Sequence, residues 1–230
     1  MPNILYPPPR PQSVGEILDS AFRIFGVTLL RCLPYSFLGV IVGHLTTFYD
    51  LATGHPVVPT TLRARQTHDP LWWVLLLVAA FAGTTLANAV LLRQYALATG
   101  HAAATGAELS TGAWRVAGVL LIAILMTLAI VATFIPVFLV ASLMSAGLST
   151  APSPAGILVV VGLGVLALIP ASWALIRWVC AVPVYLLTER GPVASMSHSW
   201  QLTAGHFWRL SVIYAVGIAL IIVQIGRAHV

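Results

Sequence analysis

Side chains able to do chemistry are sparse in this chain. Six carboxylates, seven histidines and two cysteines are spread over 230 residues, and catalysis needs such groups held together, with shifted proton affinities or an activated nucleophile. Asp50 and Asp69 fall in one polar connection, whereas Glu16, Asp19, Glu108 and Glu189 fall at the other ends of the apolar runs. No carboxylate pair is therefore expected within a span. His198 and His206 share one helical stretch, but their separation is a poor metal spacing beside the usual three or four residues. Ser195, Ser197 and Ser199 flank His198. Neighbouring helical positions point apart, so these serines read as helix-surface polarity, not as a nucleophile beside its base. Cys32 and Cys180 lie in apolar segments without CxxC spacing, as small packing residues do. The sequence thus points to no catalytic residue, no metal and no cofactor.

The arginines carry what chemistry remains. All eleven basic residues are arginine, and the formal charge is +5. They stand singly at the ends of apolar runs, not on one stripe as a phosphate-tracking surface needs, which favours anionic lipid headgroups over nucleic acid. Arg177 lies within a long apolar run, where a charge costs roughly 2.5 to 3.5 kcal/mol on insertion scales. Either it snorkels to headgroup phosphates, or Pro170 and Pro183 hold it deeper, where it pairs with Glu189 or binds an anionic headgroup. Arg23, Trp208 and Arg209 are further candidates for headgroup or interhelical polar contact, and Asn88 and Gln94 fit either an interhelical contact or plain packing polarity.

These residues need a scaffold, and composition says what kind. Hydrophobic residues make up 59% of the chain, charged residues 7%, and mean hydropathy is +0.96. An ordinary soluble domain carries about 25% charged residues to cover its surface; a chain dissolved in acyl chains has no such need. The class is all-α, a polytopic transmembrane helical bundle of about five spans with amphipathic interfacial helices. Met1 to Gln12, with five prolines, reads as an extended cytosolic arm, and residues 13–230 as one helical membrane domain. No cleavable signal peptide is expected at the start.

Ser13-Val14-Gly15-Glu16 has the capping-box form and opens an amphipathic helix over 14–26, with Ile17, Leu18, Ala21, Phe22 and Phe25 on one side and Glu16, Asp19, Ser20 and Arg23 on the other. Spans follow at about 27–49, 71–92, 116–144, 157–187 and 210–224. The second starts from Asp69-Pro70, a cap followed by proline, and covers roughly 33 Å. Pro136 should kink the third. The fourth is too long for one straight crossing, so Pro170 or Pro183 should bend it.

Arg10, Arg23, Arg31, Arg93, Arg115, Arg190 and Arg209 flank the spans on one side, against Arg63 and Arg65 on the other. The positive-inside rule places the N-terminus in the cytoplasm of a multi-pass plasma-membrane protein. Three cytoplasmic stretches, Ser13 to Leu33, Gly106 to Leu125 and Gly191 to Val216, each lead a short amphipathic helix into a span. Each carries an aromatic followed by arginine: Phe22-Arg23, Trp114-Arg115 and Trp208-Arg209. Such pairs suit the interface, with the ring among headgroups and the guanidinium on phosphate. An internal repeat and a common demand on interfacial helices both account for the layout.

Arg177-Trp178, Pro183, Glu189-Arg190-Gly191-Pro192 and the run Ser199-Trp200-Gln201-Leu202-Thr203-Ala204-Gly205-His206-Phe207-Trp208-Arg209 resemble the bacterial membrane-domain family named after glycerophosphoryl diester phosphodiesterase. The stretch from Ser13 to Arg23 looks like that family's N-terminal segment. The resemblance implies a helical domain of about six spans in the bacterial inner (plasma) membrane, with cytosolic termini. The soluble hydrolase that some members carry is not present in this sequence, so the family name implies no enzymatic activity here. Five spans against six, and a closing Ile225-Gly226-Arg227-Ala228-His229-Val230 that reads like a translated sequencing adapter, lead to the expectation that the native protein continues beyond Gln224. The expected function is a non-enzymatic membrane module associating with lipid, including anionic headgroups, or with a partner membrane protein. A transporter subunit is the alternative and an intramembrane enzyme the second.

Overall fold

A computed structural model describes residues 13–54, 69–101, 104–147 and 154–228. The proline-rich arm and the connection with Arg63 and Arg65 lie outside these residues. The described regular elements are all helices: α1 Val14–Gly43, α2 Leu45–Thr53, α3 Pro70–Ala98, α4 Thr105–Trp114, α5 Val116–Gly147, α6 Pro154–Trp178, α7 Ala181–Leu187, α8 Pro192–Leu202 and α9 Phe207–Ala228.

Local chemistry sets the starts. The Ser13 hydroxyl accepts from the Glu16 amide at 3.3 Å while the Glu16 carboxylate accepts from the Ser13 amide at 2.7 Å, closing the capping box. Asp69 caps α3 by accepting from the Trp72 amide at 3.2 Å, with Pro70 in the first turn. Gly191-Pro192 opens α8 in the same cap-then-proline manner.

Two boundaries differ from the sequence reading. The amphipathic helix 14–26 and the span 27–49 are not separate elements: α1 runs unbroken through Gly26 and Pro34 to Gly43. A helical glycine costs only about 1 kcal/mol, too little to separate a pair of strongly apolar segments. The chain turns at His44, whose amide bonds both Val40 and Ile41 carbonyls at 3.2 Å, so Tyr49 belongs to α2. At 1.5 Å per residue α1 is roughly 45 Å long, more than the roughly 30 Å hydrocarbon core of a bilayer. Its first turns, with Glu16, Asp19 and Arg23, therefore have the length to remain among headgroups.

Stretch 157–187 is likewise two helices. α6 ends at Trp178 and α7 starts at Ala181. Pro183 has no N–H for the Val179 carbonyl, and its ring crowds that same oxygen, so the break falls four residues before the proline. Pro34, Pro136 and Pro170 stay inside α1, α5 and α6.

The helices gather into two compact units, Met1–Ala117 and Gly118–Val230. In the first, α3 packs against α1, α2 and α4. In the second, Ile122 of α5, Ala181 of α7 and Met196 of α8 form a small core, with Leu125, Met126, Trp178, Val182 and Tyr185 against it. Large apolar side chains such as Leu30, Leu77, Leu143 and Leu158 point outward, a surface that a water-soluble protein does not keep. Val14–Gly43, Pro70–Ala98, Val116–Leu143 and Gly156–Leu187 are long and apolar enough to cross a membrane, and Phe207–Ala219 of α9 is a shorter apolar helix. Length and composition thus fit a multi-pass integral membrane protein of about five spans.

Candidate functional site

Each unit holds a half-buried arginine that is fastened to a short helix further along the chain. In the second unit Arg177 occupies the last turn of α6. Its guanidinium carbon lies 5.3 Å from the Trp173 ring and 5.2 Å from the Trp200 ring, both within cation–π range. The two indoles meet edge to face at 4.6 Å, and Nη1 donates to the Trp200 carbonyl at 3.3 Å.

The backbone of Arg177 is held as well. Because α6 stops at Trp178, its last carbonyls lack the amides of a next turn. The Ser199 hydroxyl donates to the Arg177 carbonyl at 2.8 Å and the Thr203 hydroxyl at 3.3 Å. Ser195, Ser199 and Thr203, spaced four apart on one face of α8, are fully buried. This corrects the reading of these serines as surface polarity: only Ser197 of the group is exposed. Ser195 donates to the Gly191 carbonyl at 2.9 Å, an oxygen that also takes the Ser195 amide, so of the two serines only Ser199 serves the open end of α6. Gly205, at φ +77°, turns the chain from α8 into α9.

In the first unit Arg93 of α3 makes the corresponding clasp with α4. Its Nε lies 3.0 Å from Glu108 Oε2. Nη1 donates to the Arg31 carbonyl at 3.1 Å, Nη2 to the Thr105 hydroxyl at 2.7 Å, and the guanidinium sits 4.8 Å from the Tyr35 ring. Tyr35 also donates to Glu108 Oε2, at 3.4 Å. Glu108 Oε1 is buried without a hydrogen-bond partner. Asn88 donates to the Gly112 carbonyl at 3.0 Å, and a Cβ at Gly112 would come within 2.9 Å of the Thr85 carbonyl. Glycine there lets α4 lie directly on the α3 backbone.

The two arginines differ in charge balance. Arg93 has a carboxylate partner, whereas among the described residues Arg177 forms no ion pair. Among the described residues Arg177 and Glu189 do not form an ion pair. Glu189 is exposed in the bend after α7, and the guanidinium turns to α8. Arg23 is exposed and Arg209 half-buried. The rings of the three aromatic–arginine pairs stand well out, at 58% for Phe22, 88% for Trp114 and 80% for Trp208. His198 is half-buried and His206 exposed, and among the described residues no group of three or more His, Cys, Asp or Glu is placed to hold a metal.

The Arg93–Glu108–Tyr35 cluster is not foreshadowed by the sequence pattern. Its one sequence signal is Glu108, the single charge in α4. A turn through Gly100, at φ +76°, returns it to Arg93, and nothing in the spacing announces that return.

Fold and surface together define an α-helical chain of the multi-pass membrane type. Comparison with family models, curated proteins and solved structures finds no match.

Proposed function

We propose that this chain is a non-enzymatic module of the bacterial inner membrane, with its N-terminus in the cytoplasm, and that it associates with anionic lipid headgroups. The observation that carries the reading is the exposure of the Phe22, Trp114 and Trp208 rings, each followed by an arginine. Trp114 stands where the long apolar helix α5 begins and Trp208 where the shorter apolar α9 begins. An exposed ring beside a cation is what the headgroup layer accommodates and water does not favour. The resemblance to the glycerophosphoryl diester phosphodiesterase membrane domains supports the same reading. A partner membrane protein meeting the same face is the second form of the proposal.

The test is lipid analysis of protein purified in mild detergent, comparing wild type with a triple variant, Arg23→Gln, Arg115→Gln and Arg209→Gln. At about 1 kcal/mol per arginine near an anionic surface, retention of anionic lipid should weaken by roughly two orders of magnitude. Equal enrichment of anionic over zwitterionic lipid in both proteins would overturn the proposal.

A further inference from the structure

One groove in the second unit is apolar along its length and bordered by cations. It lies between α6 and α9, encloses about 660 Å³ and is lined chiefly by Ile169, Pro170, Trp173, Ile176, Phe207 and Trp208. Arg177 stands over the Trp173 ring that forms one wall, and Arg209 follows directly on Trp208.

We infer that this groove holds one acyl chain of an anionic glycerophospholipid whose phosphate meets Arg177. The inference rests on the lipid-associating reading above and names the site and the class of lipid. Charge complementarity decides the occupant. Arg93 is neutralised by Glu108 at 3.0 Å, but the matching arginine of the second unit spends Nη1 on a neutral carbonyl and has no carboxylate among the described residues. A half-buried cation without a counter-ion favours an anion arriving from outside. Because Arg177 stands against the Trp173 wall of an apolar groove, an anion tethered to a hydrocarbon chain fits both features.

Ile169 to Arg177 spans roughly 12 Å along α6 at 1.5 Å per residue. The groove therefore receives the portion of the chain nearest the glycerol, and the remainder extends into bulk lipid. Trp173 and Trp208 flank it. A second groove of about 480 Å³, lined by Ile130, Phe134, Leu168 and Leu175 with others, is equally apolar, but neither ring on which Arg177 stacks, Trp173 or Trp200, belongs to its wall.

Native mass spectrometry of the full chain, titrated separately with phosphatidylglycerol and phosphatidylcholine, tests the assignment. Wild type should bind a first phosphatidylglycerol in preference to phosphatidylcholine. Arg177→Gln should weaken the first phosphatidylglycerol roughly fivefold and phosphatidylcholine, whose choline cation offsets its phosphate, by clearly less. Ser211→Trp fills the groove from α9 and should abolish the first site. Ser211 donates only to the Phe207 carbonyl, and an unchanged elution volume checks its folding. If that variant misfolds, Ile169→Trp fills the same groove from an exposed position on α6.

Unchanged first-site binding in the filled variant overturns the inference, as does equal weakening of both lipids by Arg177→Gln. A dimer mass without bound lipid also overturns it, because a second copy would then occupy the groove. If the triple arginine variant loses bulk anionic enrichment while the filled variant binds as wild type does, the proposed function stands and the groove falls. If only the filled variant loses its lipid, the groove stands and the aromatic–arginine proposal falls.

Discussion

Removing the carboxylate of Glu108 should destabilise the first unit more than any change at its exposed faces. The Arg93 and Glu108 side chains are 14% and 8% exposed, so neither is screened as a surface pair would be. Glu108→Leu leaves the guanidinium with two neutral acceptors, the Arg31 carbonyl and the Thr105 hydroxyl, and no counter-ion. Breaking a buried pair from one side costs about 3 to 5 kcal/mol, while replacing both partners with apolar groups of similar size is often close to neutral. Arg93→Met should therefore resemble Glu108→Leu, and the double variant should lie within about 2 kcal/mol of wild type. Thermal midpoints in detergent, read by fluorescence-detected size exclusion, convert at about 2 to 4 °C per kcal/mol for a chain of this size. Each single variant should drop roughly 6 to 20 °C and the double should recover more than half of that loss. Additive single losses, to within about 0.5 kcal/mol, would show that the two charges do not depend on each other and would refute the clasp.

Gly112→Val should cost about 1 to 3 kcal/mol, because the added carbon meets the Thr85 carbonyl, which is backbone and cannot swing away. Gly106→Ala on the same helix meets nothing within 4 Å and should be neutral or stabilising by up to about 1 kcal/mol; like effects from the two would sink the close-packing argument. At the other end of α3, a hydrogen bond to the Asp69 carboxylate, with smaller contributions from burial and from the charges of Asp69 and Asp50, raises the Tyr49 phenol above its usual value near 10. A raised folded-state value means that the contribution is fully present below about pH 10 and fades as pH rises through the shifted ionisation. Tyrosinate absorbance of wild type minus Tyr49→Phe should accordingly titrate later than free tyrosine, and an earlier titration would contradict the contact.

Composition and periodicity disclose the helical class, the helix starts at Ser13 and Asp69, and the need for a bend before Leu187. These follow from short-range rules in which a cap or a proline acts on residues within one turn. The clasps are less visible. Arg177 stands out for its charge in an apolar run, but its neighbours Ser199 and Thr203 lie 22 and 26 positions further along the chain. The buried serine face of α8 reads as solvated polarity in the sequence, because the role of Ser199 and Thr203 becomes visible only once α6 ends and needs donors. Arg93 and Glu108 each read as an ordinary loop charge. Their pairing depends on the path through Gly100, which local pattern does not fix.

The dependence of α6 on α8 also bears on how the chain is made. During synthesis α6 leaves the ribosome before the residues that complete its end, since Ser199 and Thr203 are translated after Arg177 by 22 and 26 residues. A nascent chain halted ahead of Ser199 would lack every α8 partner of the Arg177 carbonyl and guanidinium and would present both to lipid, where they are costly. Insertion of α6 should therefore become secure only after α8 has emerged and docked, which makes the segment between them a checkpoint for the insertion machinery.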